Sequence, residues 1–293
     1  MVPTSAVDVV VDTHVHIWSD DLVTYPMARG WERPPDHRAS AERLIEEMDR
    51  AGVAAAVLVQ TPWYGEDNRY LVEAMRRYPG RFAAVGYLED PLAPDAPERL
   101  ERQYHEDGFR GVRLHLWDVR RGRPDERVTQ GVLDGAVDPL LRRARALGVP
   151  VTFLNRPPSH AAILAVADRF PDLVVVVDHL GHPDPREAPE YPSSRTFFAL
   201  AERPNVYVKV SNHVLHSRAS YPWADLHDYQ RRVLERFGPQ RLMWGSNFPM
   251  DMPDPGYQQR LDAVRHHLSF LDAEARAWVL GRTALQLWRP AAR

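Results

Sequence analysis

Val9-Val10-Val11-Asp12-Thr13-His14-Val15-His16-Ile17-Trp18 begins as a β-branched apolar run and ends on two histidines two residues apart. In an extended strand alternate residues share a face, so His14 and His16 project to the same side at the strand's carboxyl end. Such a pair is either two imidazoles satisfied locally or half of a site. The chain that follows decides between them.

Seven further apolar runs rich in valine and aromatics follow: Ala54–Gln60, Phe82–Glu89, Gly111–Trp117, Pro150–Asn155, Leu173–Leu180, Asn205–Asn212 and Arg241–Pro249. A charged stretch with helical spacing separates each from the next, which is the pattern of parallel βα units, and eight units close a (β/α)8 barrel. Helix ends are legible too: Ser40 caps a segment that stops at Ala51-Gly52, and Gly148 ends another just before Pro150. The sequence therefore predicts an α/β fold, a single TIM-barrel domain over residues 1–293. Extended loops are expected after strand 1 (19–39), strand 4 (118–138) and strand 6 (182–194), and a terminal helix over 272–288. Prolines gather in the connections, as in Arg33-Pro34-Pro35 and Pro183–Pro192, which stiffens them.

With 44% hydrophobic and 26% charged residues and a net charge of −3, the chain is no disordered protein, and it carries no basic footprint for nucleic acid or an anionic membrane. A small-molecule substrate is the expected partner, with homo-oligomerisation through the terminal helix left open. No basic N-terminal region precedes an apolar segment, and no run approaches ~18 apolar residues, so a cytoplasmic location is expected. Cysteine is absent, which excludes disulfides, thiolate zinc sites and a cysteine nucleophile. Of the 37 basic residues, Lys209 is the only lysine.

Strand 6 ends in Asp178-His179-Leu180-Gly181-His182-Pro183, strand 7 reads Tyr207-Val208-Lys209-Val210-Ser211-Asn212-His213, and strand 8 ends in Gly245-Ser246-Asn247-Phe248-Pro249. In this order, after the His-x-His of strand 1, these segments resemble the amidohydrolase superfamily. Within it they resemble the amidohydrolase-related branch, which includes 2-pyrone-4,6-dicarboxylate and sugar lactone hydrolases. The resemblance spans the chain. It implies a barrel with its site at the strand carboxyl ends, where His14, His16 and His179 match metal-ligand positions. In metal-dependent relatives a strand-5 histidine or lysine and a strand-8 aspartate complete the set. Here strand 5 reads Val151-Thr152-Phe153-Leu154-Asn155, and Asn247 stands where the aspartate is expected. Asparagine is no general base and a poorer ligand than a carboxylate, so a two-metal site is not expected. Two alternatives stay open: one divalent ion such as zinc on three neutral imidazoles, or no cofactor, with the same histidines polarising a carbonyl or guiding water.

Strand 4 alternates strictly, so Arg113 and His115 point inward while Val112, Leu114 and Leu116 face the helices. Arg113 suits a substrate carboxylate or ring oxygen, and His115 a proton carrier; a structural pair bonded to neighbouring strands is the alternative. On strand 7 the same alternation turns Lys209 inward, toward substrate or toward an internal carboxylate such as Asp12 or Asp178. Asp251 is the nearest carboxylate to Asn247 and a candidate replacement base. Trp18 and Trp63 lead a set of loop aromatics, with Tyr25, Trp31, Tyr64, Trp117, Tyr221 and Trp223, that can wall a pocket for a cyclic substrate. The expected activity is hydrolysis of an ester bond, the opening of a lactone by water: the histidines and Arg113 polarise the carbonyl, and His115 or Asp251 moves the proton. The alternatives are a non-oxidative decarboxylase, and a degenerate barrel acting as a cyclase, isomerase or ligand-binding protein.

Overall fold

The structure, a computed structural model, describes residues 9–31, 39–250 and 256–288. Eight strands form one sheet in sequential order: β1 (Val11–Val15), β2 (Ala55–Val59), β3 (Phe82–Tyr87), β4 (Val112–His115), β5 (Val151–Leu154), β6 (Val175–Val177), β7 (Val206–Val210) and β8 (Leu242–Trp244). Each lies inside a run read from the sequence, and every neighbouring pair is parallel. The edges meet where Val15 bridges Phe248, His16 N–H donates to the Phe248 carbonyl at 2.7 Å and Asn247 N–H donates to the His14 carbonyl at 2.9 Å. That contact turns the sheet into the expected barrel. It needs Gly245: a Cβ there would lie 2.8 Å from the Cβ of His14.

Helices cover the outside because strands buried on both faces need a second apolar layer. The segment Ala41–Ala51 shows how: Ser40 Oγ accepts from Arg43 N–H, Gly52 ends the helix at φ 71°, and Leu44 and Met48 face the strands. Truncating Leu44, which is fully buried, costs about 2–5 kcal/mol.

Inside the barrel, Val57, Ala83, Val85, Val176 and Met243 from four strands form an apolar cluster sealed by Trp288. Trp288 is 1% exposed. Its indole approaches Gly111, the residue before β4, and so it plugs the amino end. The expected terminal helix delivers it, as the continuous turns Ala273–Ala277, Trp278–Arg282 and Thr283–Leu287. Gly281 in that segment passes so close to β1 that a Cβ would fall 1.7 Å from the Val9 carbonyl.

At the carboxyl ends, the loop after β4 folds as a two-strand ladder, Trp117–Asp118 with Arg123–Pro124, before the helix Glu126–Leu133. The loop after β6 is built of 3-10 turns. A further long connection, not anticipated from sequence, follows β7 and carries the short helix His213–His216. Among the described residues no helix is long and apolar enough to cross a membrane.

Candidate active site

Asp178, one residue past β6, is fully buried at the centre of a charge cluster. Arg113 on β4 places Nε and Nη2 each 2.7 Å from its Oδ2. Lys209 on β7 brings Nζ to 3.1 Å from Oδ1, an ion-pair contact off the hydrogen-bonding direction, and His14 Nδ1 lies 3.4 Å from the same oxygen. Burial raises the Asp178 pKa most, but Arg113, Lys209 and His14 together outweigh it and hold the carboxyl well below its ordinary range. For Lys209 burial dominates: its pKa is lowered although Asp178 pulls the other way. Of the two carboxylates open to this lysine in the sequence, the fold selects Asp178. Asp12 instead accepts from Ser246 N–H at 2.9 Å, His14 N–H at 3.1 Å and Tyr257 O–H at 2.9 Å, which ties β1 to β8. Its burial raises its pKa to about 6 against those bonds.

Above the cluster lies a directional chain. Lys209 Nζ is 3.1 Å from His14 Nδ1, His14 Nε2 is 3.2 Å from His16 Nε2, and His16 Nδ1 is 2.8 Å from the Val59 carbonyl. An ammonium only donates and a carbonyl only accepts. The protons are therefore ordered: Lys209 donates to His14 Nδ1, His14 Nε2–H to His16, and His16 Nδ1–H to Val59. His179 packs on His14 with ring centroids 4.5 Å apart, and its Nδ1 lies 2.9 Å from Ser211 Oγ. Desolvation, then the positive neighbours Lys209 for His14 and Arg113 for His16, lower both pKa values, to about 3 for His16. Desolvation lowers that of His179 as well, so all three imidazoles are neutral at pH 7.

His115 ends β4 with its ring 4.8 Å from that of Tyr87, and its Nε2 has no hydrogen-bond partner among the described residues. Asn247 is 5% exposed and donates through Nδ2 to Asn212 Oδ1 at 3.2 Å. Asp251 lies outside the described residues. Trp18 is buried in the core, edge-on to Trp63, which is edge-on in turn to Trp31. Among the described residues, the metal-ligand atoms that come within 4.8 Å of one another belong to His14, Asp178 and His179. Two of the expected trio, His14 and His179, are in this group, and the third, His16, has its Nε2 3.2 Å from His14 Nε2. Ser211 was missed from sequence, although it shares the inward face of β7 with Lys209.

The chain matches the amidohydrolase family model over residues 11–289. It belongs to the amidohydrolase family. This amidohydrolase is 30% identical to an L-fucono-1,5-lactonase of Burkholderia ambifaria, over 95% of each chain. A Pseudomonas putida structure described as a candidate 2-pyrone-4,6-dicarboxylic acid hydrolase superposes with a TM-score of 0.79 at 26% identity, over 96% of this chain and 97% of that one. A Burkholderia multivorans amidohydrolase solved with zinc bound shares the fold, with a TM-score of 0.77 at 24% identity over 95% of this chain and 98% of that one. The histidines of the amidohydrolase site and its Asp178 cluster thus sit at the carboxyl end of the barrel, where enzymes of this fold do their chemistry.

Proposed function

We propose that this protein is a lactone hydrolase that works without a resident metal. The observation that carries the reading is the buried Arg113–Asp178–Lys209 cluster set beneath imidazoles held neutral. A lactonase relative over 95% of the chain supports the substrate class.

The residues act as follows. A lactone carbonyl set beside His14 accepts from its Nε2–H in place of His16, and the Lys209 ammonium behind the ring answers the negative charge that develops there. His179 donates Nδ1–H to Ser211, which leaves Nε2 a free acceptor for a proton from water. The hydroxide so formed adds to the carbonyl carbon. The ring C–O bond then breaks, and the proton on His179 passes to the departing oxygen, giving a hydroxy acid.

A divalent cation is the alternative. The 3.2 Å between His14 Nε2 and His16 Nε2 suits a shared zinc, for which bonds of ~2.0–2.1 Å give a separation of about 3.3 Å. The rest of the donor set opposes it. Arg113 and Lys209 face one carboxylate, which leaves excess positive charge before any metal arrives, and Asn247 adds none to offset it. His14 would also have to move its proton to Nδ1, against the Lys209 ammonium at 3.1 Å. The residues present do not fit a divalent cation.

The test is turnover of a lactone panel in ¹⁸O-water before and after exhaustive dialysis against a chelator. Acid release with label in the new carboxylate, unchanged by chelation, is expected. Carbon dioxide release without label would overturn the hydrolase reading, and loss of activity restored by zinc would overturn the metal-free one.

A further inference from the structure

Beside the site, a cleft of about 470 Å³ opens between the loops after β5, β6 and β7. Its floor is two imidazoles, His182 and His216, which are 6% and 7% exposed. Both nitrogens of His182 and Nε2 of His216 have no hydrogen-bond partner among the described residues. The other nitrogen of His216 is held by the His179 backbone. Buried polar nitrogens without partners are costly, and three in one place call for a ligand.

Arg156 supplies its charge. This half-buried guanidinium has no ion-pair partner among the described residues, and its plane is set by stacking 4.8 Å from the centroid of the Trp117 ring. Asp184, the only acid lining the cleft among the described residues, is already bound through both oxygens by Arg186. A guanidinium of fixed plane and uncompensated charge matches a carboxylate. A polyol would leave that charge unanswered. The His182 ring packs edge-on against His179 at 5.4 Å and against His216 at 4.7 Å, so the floor of the cleft touches the catalytic imidazole His179.

We propose that Arg156 and the ring N–H of His182 form a carboxylate-binding subsite walled by His216, so that the lactone this enzyme opens carries an anionic group. This rests on the lactone-hydrolase reading and narrows it from lactones in general to acid lactones.

The test compares two acids, 2-pyrone-5-carboxylate and 2-pyrone-6-carboxylate, with their methyl esters, which keep the ring and lose the charge. Calorimetric binding to the wild-type protein is expected to favour at least one acid tenfold or more. In Arg156→Gln that preference falls to about twofold, and Arg156→Lys recovers part of it. Ester affinity and circular dichroism report whether the pocket is still folded. Equal affinity for acid and ester, no binding of either acid, or a preference that Arg156→Gln leaves intact overturns the subsite. An acid that binds through Arg156 but is never opened supports the subsite and overturns the lactone-hydrolase reading, which keeps the two failures apart.

Discussion

The two ends of the barrel are built on opposite principles. At the amino end, inward side chains from four strands make a dry apolar layer sealed by Trp288. At the carboxyl end the interior holds Arg113, Asp178 and Lys209 as buried charges. There the non-glycine residues His179, Leu180, His182, Asn212 and Asn247 also adopt left-handed backbone conformations. Such residues persist only where surrounding structure over-determines them. The comparison teaches a division of labour: the sealed end holds the strands in register so that the other can carry strain and unpaired polar groups. Lys209 joins the ends, its ammonium 3.1 Å from His14 and 5.5 Å from the centroid of the Trp288 ring.

The largest effect is expected from Asp178→Asn. It keeps the shape and leaves two cations buried without a counter-charge. Turnover on whichever lactone is accepted should fall about 10³-fold or more. Stability in urea should drop by about 3–5 kcal/mol. Near-normal turnover would break the claim that the chemistry of the carboxyl end depends on this ion cluster.

Trp288→Ala attacks the other end. Opening the seal is expected to cost about 3–5 kcal/mol of stability. Turnover per folded molecule should change less than about tenfold, since the apolar layer touches no reacting atom. If turnover collapsed while the melting curve held, the ends would not be separable.

Lys209→Met removes the link while nearly conserving volume. Without the ammonium, His14 loses the donor that fixes its tautomer, and kcat is expected to fall about 10²-fold with little change in KM. The same change frees His14 to ligate. The double variant Lys209→Met, Asn247→Asp should hold zinc stoichiometrically by metal analysis where the wild type does not. Zinc on the wild type, or none on the double variant, would show that these two residues do not set the metal preference.

The amino end was legible in the sequence and the carboxyl end only partly, for the same physical reason. Strands buried on both faces read as continuous apolar runs, so all eight were locatable, and the two-residue period sufficed to turn His14, His16, Arg113 and Lys209 inward. Strand ends were overrun where the chain leaves the ladder: the run Arg241–Pro249 is continuous strand only over Leu242–Trp244, because Asn247 turns left-handed before Phe248 bridges to Val15. Which inward groups meet depends on barrel curvature, which no local pattern encodes. The sequence therefore left Lys209 open to either Asp12 or Asp178, and it gave no signal for the pairing of His179 with Ser211 across two strands. Arg156 and His216 lie in loops, where neither periodicity applies.

The smallest effect tests the same division by acid. Burial lowers His16, His213 and His216 to about 3 and His160 to about 4, all at the carboxyl end, while the apolar layer sealed by Trp288 contains no histidine. An imidazole with a depressed folded pKa leaves the unfolded chain binding more protons between that value and 6.5, so its contribution to stability is complete above 6.5 and is lost as the pH falls. Asp12, raised to about 6, opposes this with one proton between its ordinary 3.8 and that value. These four imidazoles against one carboxyl give an uptake of about three protons on unfolding near pH 5, and His14, His115, His179 and His182, also held well below their ordinary value, add to it, so the pH slope of urea stability should correspond to at least three protons. A slope below one proton would overturn the account of neutral buried imidazoles. Hydrogen exchange at pH 5 locates the loss: protection should fall first in the loops after β6 and β7 and last in the strands around Trp288. Uniform loosening of both ends would mean that the barrel opens as one unit, and that the sealed end lends the strained end no rigidity of its own.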